Sequence, residues 1–175
     1  MKSDELRALQ APIKARYKAD AGSAVVTLRA KGSIDDTAIA CRIETGRALA
    51  IAGLHPATGG SGLELCSGDM LLEALVACAG VTLKAVATAI EVPLDSANII
   101  AEGDLDFRGT LGVEKNAPVG FQAIRLRFEV TSDAPSEKLE QLTKLTERYC
   151  VVLQTLSVPP VITVSVAAGS GAAKS

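Results

Sequence analysis

Two rhythms of apolar and polar positions divide the chain. Residues 3–11 predict a short amphipathic helix, capped by Ser3 with Asp4 and Glu5 in its first turn and closed by Pro12. From about Ile13 the spacing turns to that of short strands: Val25, Val26 and Leu28, then Ile39, Cys41 and Ile43, then Leu49 and Ile51. Gly32-Ser33 and Gly46 mark the turns of this antiparallel meander, which ends near Gly53. An irregular stretch over 53–68 follows. A helix over 69–91 is then predicted, with Ser67 as N-cap and Asp69 in its first turn, and Leu71, Leu75, Cys78, Thr82 and Ala85 on one face. Ala74, Ala77, Ala79 and Gly80 make its middle thin, and glycine inside a helix costs about 1 kcal/mol. Close approach of a second helix near Gly80 is the expected return.

Strands are predicted over 97–110 and 120–132. In the second, Ile124, Leu126, Phe128 and Val130 alternate with Arg125, Arg127 and Glu129, the mark of a half-buried strand. A second helix, capped by Ser136, carries Leu139, Leu142, Thr146, Tyr149 or Cys150, and Leu153 on one face until Pro159-Pro160 stops it. Residues 161–167 predict a last strand. This segregated order is that of an α+β protein. The expectation is a single domain over 1–175, with 1–12 as a helical arm and 169–175 as a frayed tail.

Composition narrows the function. Hydrophobic residues make up 48% and charged residues 22%, as in ordinary globular proteins. Aromatic residues are 3%, with no Trp, so the core rests on Ala, Val, Leu and Ile, and association with a second copy is one way to gain burial. A net charge of −2 without a basic stripe argues against a nucleic-acid binder. Fully apolar runs fall short of the ~18–20 residues of a membrane span, and Met1 to Glu5 lack the apolar core of a secretory signal. A cytoplasmic protein without membrane attachment is the expectation.

Four cysteines, Cys41, Cys66, Cys78 and Cys150, include no C-x-x-C pair, and with His55 as the single histidine a closed zinc site is not expected. In a reducing compartment they stay thiols. Cys78 and Cys150 each sit on the apolar face of a predicted helix, an arrangement that suits peroxide reduction. One thiolate takes an oxygen and becomes a sulfenic acid, and a second thiol condenses with it to a disulfide. Buried thiols that merely pack are the competing reading for each cysteine. Cys66 at the mouth of the first long helix is a further redox candidate, because the helix dipole favours a thiolate there. His55 beside Pro56 is a candidate proton carrier. Gly59-Gly60-Ser61-Gly62 lacks the Lys-Ser/Thr of a P-loop and reads as a set of tight turns.

The stretch Gly68-Asp69-Met70-Leu71-Leu72-Glu73-Ala74-Leu75-Val76-Ala77-Cys78 resembles the first-cysteine helix of the OsmC/Ohr family, typically P-E-E-L-L-x-A-A-L-A-A-C. Glu147-Arg148-Tyr149-Cys150-Val151-Val152-Leu153 resembles its second-cysteine helix, typically ending C-P-x-S. The resemblance implies an intertwined homodimer, with antiparallel sheets packed around central helices that carry the cysteines. It implies a thiol peroxidase for organic hydroperoxides in oxidative stress defence, with Cys78 as attacking thiol and Cys150 as resolving thiol. It implies no metal, haem or flavin, and an external dithiol reductant, lipoyl-type in some members. The family's Glu ten residues before the first cysteine is replaced by Gly68; Asp69 is the nearest acid, rotated by about 100° on the helix. For the arginine that accompanies that Glu, Arg16 is the first candidate and Arg29 the second. Val151 and Leu153 stand where the second motif has Pro and Ser. The alternative is a non-catalytic dimer of the same fold that binds an apolar ligand or partner in the cleft at the helix crossing.

Overall fold

The structure, a computed structural model, describes residues 3–34, 41–43, 52–63 and 65–166. Helix α1 spans Ser3–Ala19 and leads through a turn at Ala21–Ala24 into strand β1, Val25–Ile34. The short strands β2 (Cys41–Ile43), β3 (Ala52–Gly53) and β4 (Leu65–Cys66) precede helix α2, Ser67–Ala89. Strand β5 (Ser96–Asp106), the single turn α3 (Phe107–Thr110), strand β6 (Phe121–Thr131), and helices α4 (Ser136–Tyr149) and α5 (Val151–Ser157) complete the order. This is the α+β arrangement expected. The main sheet runs β2-β1-β5-β6, all antiparallel, and β3 pairs with β4 in parallel.

α2 holds the layers together. Leu72, Leu75, Val76, Ala79, Leu83 and Ala87 are buried. The helix packs on β1 and β5 and is covered further by α4 and α5. β5 alternates buried and half-buried positions, so Ala97, Ile99, Ala101 and Leu105 face the core. Burying a leucine fully is worth roughly 1.5–3 kcal/mol, and Leu72, Leu75, Leu83 and Leu142 form the bulk of a core with few rings. By length and composition α2 is long and apolar enough to cross a membrane. Uninterrupted apolar runs do not reveal it, because charged residues such as Glu73 and Lys84 break the run while the helix as a whole stays apolar on average. Of that apolar stretch 44% is buried, against the sheet and beneath α4 and α5.

Several local expectations change. α1 does not stop at Pro12 but runs to Ala19, so residues 13–19 are helix, not strand. Proline removes one amide donor from the helix interior, yet the turn beyond it is anchored by Tyr17. That side chain is 1% exposed and its hydroxyl donates to the Ala57 carbonyl at 2.7 Å. Gly32-Ser33 is not a turn: both residues lie in β1, opposite Ile99 and Asn98, because the β5 ladder continues through them. The expected strand at Leu49–Ile51 and the turn at Gly46 lie outside the described residues.

The N-cap of α2 is Cys66 rather than Ser67, and that of α4 is Pro135 rather than Ser136. β5 gives way at Asp106, whose buried carboxylate accepts from the Arg108 backbone N–H and Nε, both at 3.0 Å, and so starts α3. The second long helix breaks at Cys150, with a backbone ψ of 104°. Residues 161–166, expected as a last strand, join no ladder with the described strands and are exposed.

Candidate functional site

Two groups of chemistry-bearing residues emerge, each built around a residue of α2. The first is the thiol pair. Cys78 lies in the middle of α2 and is half-buried. Cys150 comes from a segment 72 residues further along the chain and is 0% exposed. The joint between α4 and α5 lies against α2, which brings the Cys150 thiol near enough to Cys78 for the two to act on each other electrostatically. α4 and α5 do pack on α2, as the thin middle of that helix led one to expect of a second helix.

Burial pushes the Cys150 thiol up to about 11; the Leu153 backbone N–H opposes this, and Cys78 adds to it. At neutral pH Cys150 is a protonated thiol. Between β6, α4 and α5 lies a cleft of about 610 Å³, lined by neither cysteine, whose walls include Ile124, Leu126, Phe128 and Leu153 together with the charged Arg127 and Glu147.

The second group stands at the head of α2. Asp69 is about 13 Å from Cys78 along the helix axis, at 1.5 Å per residue. His55 and Asp69 act on each other electrostatically. The His55 ring stacks on Phe107 at 4.9 Å, and its Nδ1 accepts the Ala57 backbone N–H at 3.0 Å, which leaves the proton of the neutral ring on Nε2. Burial lowers the His55 pKa and the Asp69 charge partly restores it. Burial raises the Asp69 pKa and His55 opposes this. Glu73 is raised too, first by burial and then by Asp69.

His55, Cys66 and Ser67 line a cavity of about 380 Å³ whose other walls include Leu71, Phe107 and Phe121. Gly60 is required beneath it, because a Cβ there would run into the Leu54 carbonyl.

Of the residues singled out in the sequence, Cys78 and Cys150 meet, and His55, Asp69 and Cys66 gather at the other group. Arg16 lies on the exposed side of α1 with its guanidinium 5.1 Å over the Tyr17 ring. Arg29 stands opposite Glu102 in the β1–β5 ladder. Phe107 and Tyr17 were not singled out by sequence. Neither sits in a motif; a tyrosine in so ring-poor a chain was the available signal.

The α+β fold, an antiparallel sheet with α2 packed on it, defines the class of protein. The OsmC-like protein family model matches residues 60–165, and the chain belongs to that family. The fold is similar to that of an OsmC-like hydroperoxide resistance protein from Jannaschia sp. CCS1, with a TM-score of 0.61 at 14% identity over 83% of this chain and 95% of that one. It is similar also to an OsmC-like protein from Mycoplasma pneumoniae, with a TM-score of 0.53 at 15% identity over 77% and 86% of the two chains. No curated protein matches in sequence.

Two measurements check this electrostatic picture. Because the folded Cys150 holds its proton from the ordinary 9.0 to about 11, the unfolded state ionises first. Stability should fall as pH rises through that window, with a limiting slope of about 1.4 kcal/mol per pH unit. Cys150→Ala should flatten the decline in urea titrations between pH 8 and 11, and an equal slope in both proteins would contradict the assignment. For the other group, His55 is the single histidine and gives one clean imidazole signal by NMR. Asp69→Asn should move its titration midpoint further down; an unmoved midpoint would mean that the two groups do not interact.

Proposed function

We propose that the protein is a thiol peroxidase that reduces organic hydroperoxides, with Cys78 as the attacking thiol and Cys150 as the resolving thiol. The observation that carries this reading is their meeting in one place with unequal access: Cys78 is reachable and Cys150 is sealed. The Cys78 thiolate attacks one oxygen of the hydroperoxide, the O–O bond breaks, and the alcohol leaves with a proton. Cys78 is then a sulfenic acid. The Cys150 thiol attacks that sulfur, and its proton departs with the hydroxyl as water, leaving a disulfide. An external dithiol, in a reducing cytoplasm, returns both thiols by exchange. Kinship with a hydroperoxide resistance protein supports the substrate class. The cleft walled by Ile124, Leu126 and Phe128 favours the second reading, a non-catalytic dimer that holds an apolar ligand.

The working unit in this proposal is a homodimer. Val161, Ile162, Val164 and Val166 are 97%, 78%, 85% and 92% exposed, in a segment whose composition is that of a strand. Contiguous apolar surface of this kind marks an interface. β6 pairs on one side with β5 and offers its other edge among the described residues. A second copy supplies both the missing partner strand and the missing cover.

One equivalent of cumene hydroperoxide added to reduced protein should remove two protons of mass within seconds and yield a linked Cys78–Cys150 peptide. Cys78→Ser should lose hydroperoxide consumption by a factor of a hundred or more while keeping its circular dichroism. A wild type that leaves Cys78 a free thiol would hand the function to the binding reading. In sedimentation the full chain should run as a dimer and the Ile162→Asp/Val164→Asp variant as a folded monomer. A monomeric wild type at micromolar concentration would end the dimer proposal.

A further inference from the structure

The two thiols differ in access, and that difference bears on how an oxidised pair is reduced again. Cys150 is 0% exposed and belongs to the same core cluster as Leu72, Leu75 and Leu142, whereas Cys78 is half-buried. The chain encloses Cys150 from both directions. Its N–H donates to the Thr146 carbonyl and its carbonyl accepts from the Gln154 N–H, both at 2.9 Å, so α4 and α5 are fastened to it on either side. Val152, Leu153 and Leu156 of α5 pack on that same core.

We infer that the reductant enters at one sulfur alone: it attacks Cys78 in the oxidised pair, forms its mixed disulfide there, and expels Cys150. The inference rests on the proposed roles of Cys78 and Cys150. It adds which sulfur accepts the incoming thiol and which one leaves.

Thiol–disulfide exchange is a displacement at sulfur. Its rate depends on which sulfur is attacked, on access to it and on the basicity of the leaving thiol. Basicity and access pull in opposite directions here. Burial raises the Cys150 thiol from 9.0 to about 11, with the backbone N–H groups of Leu153 and Val152 opposing it. A more basic thiolate leaves more slowly. At a sensitivity of about half an order of magnitude per pKa unit, departure of Cys150 is roughly tenfold slower than that of an ordinary thiol. Access acts with a larger magnitude. A sulfur sealed in the core is reached only when the core opens, and such openings are populated at ~10⁻³ or below. Access therefore outweighs leaving-group basicity by about a hundredfold.

In the step itself the donor thiolate bonds to the Cys78 sulfur and the S–S bond breaks. Cys150 keeps the electron pair and takes a proton. The second thiol of the dithiol donor, as thiolate, then attacks the donor sulfur of the mixed disulfide. That closes the donor's own disulfide and releases Cys78, which takes the second pair and the second proton. Two electrons and two protons have passed from the dithiol to the protein. Cys150 never has to reach solvent in either half of the cycle, because it meets only Cys78.

The experiment starts from full-length protein oxidised with diamide, with the Cys78–Cys150 linkage verified by peptide mapping. The oxidised protein is mixed with cysteamine, a small monothiol, and quenched in acid at the earliest times. Free thiols are then blocked with a maleimide in denaturant, and the peptides are mapped. Cysteamine should sit on the Cys78 peptide at least about ten times as often as on the Cys150 peptide, with Cys150 carrying the maleimide. In urea, where burial is lost, the split should come within about threefold of parity. Cysteamine mainly on Cys150, or an even split in the native protein, overturns the inference. A preference unchanged by urea overturns it too, since its origin would lie in the thiols and not in the fold. Failure of diamide to link the pair removes the thiol-pair reading and this inference with it, and is told apart by the absence of any linked peptide.

Discussion

The need to cover a helix that is apolar around most of its circumference organises the whole molecule. α2 exposes too much hydrocarbon to stand on one layer. β1 and β5 take one side, and α4 with α5 take another. Each covering element is placed by that demand, and with it whatever chemistry it carries. Cys150 reaches Cys78 because the joint between α4 and α5 closes the core over the middle of α2.

That placement also separates two environments along one helix. At its middle a thiol pair lies in apolar surroundings, where burial keeps Cys150 protonated. At its head, His55, Asp69 and Glu73 share a partly desolvated corner, where each carboxyl is held toward its neutral form and the imidazole toward its neutral base. The residues from α1 that secure this corner lie outside the segment the family model matches. The Ala57 N–H donates to His55 Nδ1 and so sets the tautomer, while buried Tyr17 donates to the carbonyl of the same Ala57 and braces that turn. Gly68 leaves no carboxylate at the family's usual position, and Asp69 and Glu73 are the acids that follow it on the helix.

Much of the architecture was legible in the sequence. α2 announced itself through the recurrence of Leu71, Leu75 and Cys78, and β6 through the alternation of Ile124, Leu126, Phe128 and Val130 with charged residues. The signals that failed were punctuation marks. Pro12 and Gly32 read as boundaries, yet the helix and the strand pass through both. Anchorage of Tyr17 and continuity of the β1–β5 ladder outweigh local preferences worth only a few kcal/mol. The break at Cys150 had no such mark, since Tyr-Cys-Val carries neither glycine nor proline.

Alone, then, the sequence determined the class of fold, the two main helices and the cysteine on each, because hydrophobic period and composition are local properties of the chain. It also carried the motif that places the chain in its family. Tertiary structure decided which thiols meet, which of them is sealed from solvent, and that His55 faces Asp69. Those facts depend on how elements far apart in the chain are stacked to hide α2 from water, and no spacing within any one of them encodes that.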